Sequence, residues 1–488
     1  MSTAIHKKLE RNIAYLQERL DLGKENFDLI LKEMVVGGKK AAVLFVDGLS
    51  NNEVSVFVIR SLLGATREQI ATGTIEKLMK EIIPFGETSP VEDLEEAIRQ
   101  VLAGLMLLLV DGEQIGLLLD TRQYPARSPE EPDIEKITRG SRDGFVETMV
   151  FNIALIRRRI RDPQLRCEII NVGQRSVTDI AVMYMKDIAN PQIVENIRAR
   201  LTSINIDALP MAEKTVEEFI THTFWNPFPV VRYTERPDVA ANHLVEGHVI
   251  IVVDTSPSVM IVPVTFFHLL QHAEEFRQNP IIGTYVRWVR LIGIFISFML
   301  IPVWLLVATE PRYLPEALKF IGPEEKTSIP IYLQFIFAHF GLDLVRMASI
   351  HTPSPFATAL GLVGALLIGQ IAVSVGFFTP EVLLYTGLVA LGVFSTPSWE
   401  LSMANRVYLL LLILLTGLFR LPGLIAGFAL IFINLVTTKS FGLPYLWPLI
   451  PLNPKVLLYV FIRRPIPLQF YRPRWLETRD SDRTTKGR

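Results

Sequence analysis

The chain has 488 residues, with 49 Lys and Arg against 50 Asp and Glu and a formal net charge of −1. That length predicts about three folding units and excludes a small module, and the charge balance excludes a global pull toward nucleic acid or acidic substrates. Half of the residues are hydrophobic and only 20% are charged, below the roughly 25% of a soluble chain, so a membrane-embedded portion is expected.

Met1 to Asp21 is charged and helical in character without an apolar core, which is not the pattern of a cleaved secretory signal. Gly37-Gly38-Lys39-Lys40 lacks the spacing that wraps backbone amides around phosphates, so nucleotide binding is not expected. Up to about position 280 the chain reads as α/β. Helical patterns at Val91–Leu102 and Pro191–Leu201 alternate with short apolar runs at 41–46, 105–110, 115–119, 181–184 and 249–253. Tyr124 to Pro132, rich in Pro, Ser and Glu, marks a linker between two subdomains. Asp47, Asp111 and Asp254 each end an apolar run, and tight turns account for them. The single cysteine, Cys167, excludes an internal disulfide and any CxxC or four-cysteine zinc site.

Arg157, Arg158, Arg159 and Arg161 close a helical pattern, either as a solvated helix end favoured by the dipole or as a contact to anionic headgroups or a partner subunit. His268 and His272 fall on one helical face, but with no adjacent Glu and no third ligand they read as surface or capping histidines. No metal site, cofactor site or catalytic group emerges, and an enzyme is not expected.

Beyond position 280 come uncharged runs of membrane-spanning length. Leu291–Thr309 is one span; Thr352–Pro380 and Val382–Trp399 are two more, with Thr379-Pro380-Glu381 as their turn. Val407–Thr438 is too long for one straight crossing and must tilt, break or turn back, with Leu421-Pro422-Gly423 as the breaking point. Ile331–Ile350 carries Gln334, His339, Asp343 and Arg346, which fits an interfacial helix or one packed inside the bundle. Arginines at 277, 287 and 290 precede the first span, and Arg463, Arg464, Arg472 and Arg474 follow the last, so both termini are expected to be cytoplasmic. The count is four spans, or six if Arg420 marks a cytoplasmic turn and Phe441–Ile462 returns. The expected fold is therefore an α/β bipartite cytoplasmic N-terminal domain (1–130 and 131–280), an α-helical transmembrane domain (281–462) and a cytoplasmic tail (463–488).

Ala357, Gly361, Ala365 and Gly369 recur every four residues, a smooth face for close helix packing within one chain or between copies. Thr358, Gln370 and Ser374 on the same segment either bond to neighbouring helices or line a wet path. Arg420, the one basic residue deep in the apolar run, either snorkels from a helix end or is functional.

Gly140 to Phe145 (G-S-R-D-G-F), Ala154 to Arg161, Ala189-Asn190-Pro191, Tyr233 to Asp238 (Y-T-E-R-P-D), Gly364 to Gln370 and Ser440 to Pro451 together resemble the A-subunit family of GerA-type spore germination receptors over nearly the whole chain. His248 to Pro257, Gln271 to Arg277, Met347 to Pro353 and Tyr445 to Pro454 resemble one sporulation subgroup of that family. The resemblance implies a protein of the spore inner membrane, assembled as a homo-oligomeric ring, a pentamer, that conducts monovalent ions during germination beside other germination membrane proteins. It marks Arg157, Arg158, Arg159, Glu235, Arg236 and Pro237 as family-motif positions of the cytoplasmic part. In the three-component receptors the nutrient pocket is attributed to a separate subunit, so no nutrient-contacting residue carries over. Phe419-Arg420-Leu421-Pro422-Gly423 departs from the Gly-Leu-Tyr-Gly-like stretch of other A subunits. A non-conducting scaffold that recruits other germination proteins is the alternative; a solute transporter is disfavoured because no inverted repeats with matching broken spans are found.

Overall fold

The computed structural model describes residues 3–20, 22, 29–46, 50–70, 73–83, 87–122, 135, 137–160, 162, 164–313, 329–351 and 371–483. It divides into two compact units, 1–127 and 128–488. The linker stretch 124–132, Asp47, Arg161 and the small-residue segment 352–370 lie outside the described residues.

In the first unit α1 (Leu9–Leu20) precedes the hairpin β1 (Leu29–Val36) and β2 (Lys39–Val46), then come α2 (Asn52–Leu63), β3 (Thr88–Val91), α3 (Leu94–Leu102), β4 (Met106–Val110) and β5 (Gly116–Leu119). The sheet runs β1-β2-β4-β5-β3. All five residues of β4 are buried, because successive side chains alternate between two cores: Leu107 and Leu109 join Leu9, Leu16 and Val101, while Met106 and Leu108 join Val58 and Leu62. The helix read from Val91 begins at Leu94 instead, since Asp93 accepts a hydrogen bond from Glu96 N and caps it.

The second unit opens on the same plan: α4 (Met149–Arg159), β6 (Leu165–Val172), β7 (Thr178–Met185), α5 (Pro191–Thr202), α6 (Ala212–Thr221), β8 (Arg232–Thr234), α7 (Pro237–Glu246), β9 (Val249–Val253) and β10 (Val259–Val262). Its order, β6-β7-β9-β10-β8, is the first sheet's order repeated. The repetition reaches single side chains. Asn12 accepts from His6 N at 2.9 Å and donates to His6 O at 2.7 Å; Asn152 does the same with Val146 at 2.8 and 2.6 Å. Asp111, after β4, accepts from Leu9 N, and Asp254, after β9, accepts from Met149 N, each at 3.0 Å. Each strand-ending aspartate thus anchors the start of the helix that precedes its sheet. The tight turns expected there are present, with Gly112 and Thr255 at positive φ.

The sheet of the second unit leads through α8 (Ala273–Arg277) into α9 (Pro280–Thr309), α10 (Ile331–His351), α11 (Pro380–Phe394), α12 (Trp399–Thr437) and α13 (Pro454–Phe461). Among the described residues α9, α10 and α12 are long and apolar enough to cross a membrane, and α11 is a shorter apolar helix. The span read as Leu291–Thr309 extends back to Pro280, capped by Asn279. Arg287 and Arg290 are accommodated in its first turns because Glu275 neutralises them.

α12 breaks at Arg420, where φ is 57° and ψ −136°. This is two residues ahead of Pro422, whose ring restricts residue 421 and supplies no N–H. The chain then turns back. Asn434 donates to the Tyr408 hydroxyl, although 26 residues of straight helix would set them about 39 Å apart. A Cβ on Gly423 would strike Leu415 O, and one on Gly427 would lie 2.6 Å from Leu412, so glycine permits the two limbs to touch. The turn at Arg420 is at the end of the bundle away from the sheet. Both limbs end near the sheet: Trp399 lines a cavity with Tyr233 and Thr234 of β8, and Thr438 accepts from Asn226 at 2.7 Å. Residues 441–462 are not a returning span; they form part of a short ribbon, turns at Pro448 and Pro451 and the eight residues of α13.

Five passages are described. α9 leads away from the sheet, α10 returns (Trp304 meets Phe335 at the far end, Arg346 meets Trp399 at the near end), α11 returns from Thr379, and the limbs of α12 go out and back. Ile331–Ile350, read as interfacial or packed inside, turns one face into the bundle, with Gln334, Phe335 and His339 buried, while Phe337, Phe340, Leu344 and Met347 are exposed.

Candidate functional site: a charged junction between sheet and helices

The residues joining the second sheet to the helices form three connected sets. At the first, Glu275 on α8 is fully buried and receives Arg287 Nε at 2.6 Å and Arg290 as a second partner. Arg287 also donates to Tyr459 O at 2.7 Å, and Arg463 donates to Phe276 O and Gln278 O at 2.8 and 2.7 Å. One carboxylate and three arginines therefore tie α8, the start of α9 and the chain after α13 together. Burying these charges is tolerated only because each is paired or hydrogen-bonded.

The second set is the ribbon after α12. Ser440 donates to Val230 O at 2.7 Å and accepts from Val264 N at 3.0 Å, Phe266 N donates to Tyr445 O at 2.9 Å, and Phe228 stacks on Tyr408 at 4.8 Å between ring centres. Phe441 is part of the sheet's own core. The second limb of α12 is thus stapled to the sheet by the Ser440 hydroxyl and one backbone bond.

The third set gathers the cytoplasmic motifs. Arg159 binds Asp143 at 2.6 Å and Ser141 Oγ at 2.7 Å. Arg236, with no exposed surface, donates to Ser141 O, Asp238 and Glu135 O. Asp238 also receives Arg277, Pro237 opens α7, and Glu235 O accepts from Phe145 N at 2.8 Å. Burial alone would raise the Asp143 carboxyl, but hydrogen bonds from Arg159 and Ser141 outweigh it and hold it below the usual carboxylate range. Segments about 100 residues apart in sequence meet in one cluster that ends on α8. Arg158 is exposed, and Arg157 donates to Leu165 O at 3.2 Å.

His268 and His272 cap as expected, His268 in a capping box with Thr265 and His272 accepting from Glu274 N. They are half-buried rather than on the surface. Burial, with Arg290 nearby, pushes His272 down to about 4. His268 and the fully buried His248 pack ring to ring at 5.3 Å, with His243 at 5.0 Å from His248 and Trp475 of the tail at 5.7 Å. Burial lowers His248 to about 4 and places His243 and His268 well below the ordinary imidazole value.

Within the bundle Arg406 donates to Asp343 at 2.7 Å and to His339 O at 2.8 Å, joining α10 to α12. Thr386 and Thr416 are buried there as well. Of the intramembrane residues singled out in the sequence, Thr358, Gln370, Ala357, Gly361, Ala365 and Gly369 lie outside the described residues. Ser374 is exposed and donates to Ile371 O at 2.9 Å; Arg420 is exposed at the apex of the α12 hairpin. Sequence reasoning missed Glu275, Ser440 and the Asp343–Arg406 pair. The signal was available for the last: two opposite charges in neighbouring apolar segments demand a partner. Among the described residues no group of three or more His, Cys, Asp and Glu side chains could hold a metal.

Residues 14–475 match the family described as Bacillus/Clostridium GerA spore germination protein. The chain is 46% identical over 469 residues to stage V sporulation protein AF of Bacillus subtilis (strain 168), covering 96% of this chain and 95% of that one. This is the subgroup that four of the sequence segments resemble. It is 31% identical to spore germination protein GerLA of Bacillus cereus over 99% of both chains. A solved structure, the N-terminal domain of the A subunit of the Bacillus megaterium spore germinant receptor GerK3, aligns with 27% identity and a TM-score of 0.23 over 55% of this chain and 98% of that one. With the match spanning sheets, junction and helices alike, the chain belongs to the GerA family of spore germination proteins.

Proposed function

We propose that this membrane-associated germination protein is a non-enzymatic, homo-oligomeric ion channel of the spore inner membrane, with both termini cytoplasmic, that promotes release of monovalent ions during germination. The observation that carries the reading is the polar content buried between apolar helices: Gln334, His339, Thr386, Thr416 and Arg406, the last paired with the half-buried Asp343, at depths where such groups are costly unless they serve conduction or bond across helices. Copies would meet through the smooth face of Ala357, Gly361, Ala365 and Gly369, in a pentamer, with Thr358, Gln370, Ser374 and Arg420 lining the path. The domain plan 1–130, 131–280, 281–462 and 463–488 belongs to the same proposal, with four to six spans. The charged junction would pass strain between the α/β part and the helices, biasing closed against open states. Reconstituted protein in planar bilayers should show discrete conductance steps that change on substitution of Gln370 or Ser374; folded oligomers that stay silent would remove the channel.

The second reading is a scaffold recruiting other germination proteins. It is favoured by Trp225, 97% exposed, beside Phe224 on the loop before β8. Loss of complex formation in W225A with conductance intact would separate the two.

A further inference from the structure

α13 stands on the sheet side of the bundle with none of its residues buried, and the uncharged run of α9 begins one residue past Arg290. The helix therefore lies at the level where an apolar span gives way to polar surroundings. On one side of it is a cavity of about 410 Å³ whose walls carry six cations, Arg287, Lys455, Arg464, Arg472, Arg474 and Arg483, against one acidic residue, Glu246. Three of the six are neutralised: Arg287 by Glu275, Arg472 by Asp480 and Arg483 by Glu246. Lys455, Arg464 and Arg474 have no carboxylate within ion-pair distance among the described residues. Arg464 only stacks on Tyr459 and Phe470, at 5.0 and 5.9 Å. Trp447, Trp475 and Tyr471 also line the cavity, the aromatic types that settle at headgroup depth. On the other side of α13, Leu458, Phe461 and Ile462 face Pro280, Ile281 and Trp288 across an apolar groove of about 670 Å³.

We infer that this cavity binds the phosphate of an anionic phospholipid, with Lys455, Arg464 and Arg474 as its charge partners and the adjoining groove available to acyl chain. Three uncompensated cations in one concavity favour an anion, and an apolar groove against the same short helix favours one that carries hydrocarbon. The site lies outside the proposed ion path. It rests on the helices being in a membrane but not on conduction, so a silent bilayer leaves it standing.

The test uses the full chain, purified in neutral detergent and stripped of lipid, and measures retention of phosphatidylglycerol against phosphatidylcholine by native mass spectrometry. Phosphatidylglycerol should be held at least tenfold more tightly. K455Q/R464Q/R474Q should lose about fivefold per charge, on the order of a hundredfold together, while K455R/R464K/R474K keeps the preference. Circular dichroism and elution volume verify folding; should the triple variant misfold, R474Q alone, exposed and unpaired, should still lose about fivefold. Equal retention by the charge-neutralised and native chains overturns the site. Inorganic phosphate that binds and displaces the lipid at equal concentration, with no preference between the two lipids, overturns the lipid assignment in favour of a soluble anion.

Discussion

Replacing Glu275 with Gln keeps the shape of the α8–α9 set of the junction and removes the one carboxylate that pairs Arg287 and Arg290 there. Glu275 has no exposed surface, and the side chains of Arg287 and Arg290 are 6% and 11% exposed, so water screens little of the interaction. At an effective dielectric near 20, each charge pair at about 4 Å carries about 4 kcal/mol of gross attraction, and breaking a buried pair costs about 3–5 kcal/mol net. The amide oxygen of Gln still accepts from Arg287, which returns about 1 kcal/mol. E275Q should therefore destabilise the chain by roughly 3 kcal/mol or more, read as denaturant unfolding of the detergent-solubilised protein by tryptophan fluorescence. R290M alone should cost about 1 kcal/mol, because Glu275 keeps Arg287. Combined with E275Q it should relieve repulsion, with a coupling of about 1–2 kcal/mol between the two changes. If E275Q costs under about 1 kcal/mol and the double variant is additive, the junction is not held by this carboxylate.

Asn152→Ala strands the buried Val146 N–H and C=O and should cost about 2–4 kcal/mol by the same unfolding assay; Asn152→Asp, which keeps one acceptor, should recover part of it. His248 is lowered to about 4 in the folded chain against 6.5 when unfolded, so the unfolded state binds more protons between those values. Stability should fall as pH drops from 6.5 toward 4, this residue contributing up to about 1.4 kcal/mol per pH unit; because burial also lowers His243, His268 and His272, H248F should reduce the slope by about that amount without flattening it, and an unchanged slope would refute the assignment. Asp343→Asn should lower stability by about 2–3 kcal/mol, with R406M partly rescuing it, since removing both charges leaves none unpaired. Measured costs that simply sum would show the two side chains to be independent.

Strands ending at Val46, Val110 and Val253 and the helix beginning at Pro191 were legible because apolar runs and proline-initiated helices are local signals. The return of the chain at Arg420 was half legible: Pro422 announced a break, but the direction after it depends on glycine contacts between limbs that no window of sequence contains. Two α/β subdomains were expected, but that the second repeats the plan of the first escaped notice although Asn-Ile-Ala occurs at 12–14 and again at 152–154, since three residues are a weak repeat until both asparagines are seen clasping their loops. Glu275 was hidden for the opposite reason. In sequence it is one charge among many before the first span, and only the approach of Arg287, about two turns along α9, distinguishes it from its neighbours.

The α12 hairpin stands on two feet at the second sheet: Trp399, which shares a cavity with Tyr233 and Thr234 of β8, at one and the Ser440 ribbon at the other. Such a strut cannot lengthen; it can only lean. With legs of about 30 Å, a tilt of about 5° at the base sweeps the Arg420 apex sideways by roughly 2.6 Å, so a small rotation of the sheet is amplified at the opposite end without any helix unwinding.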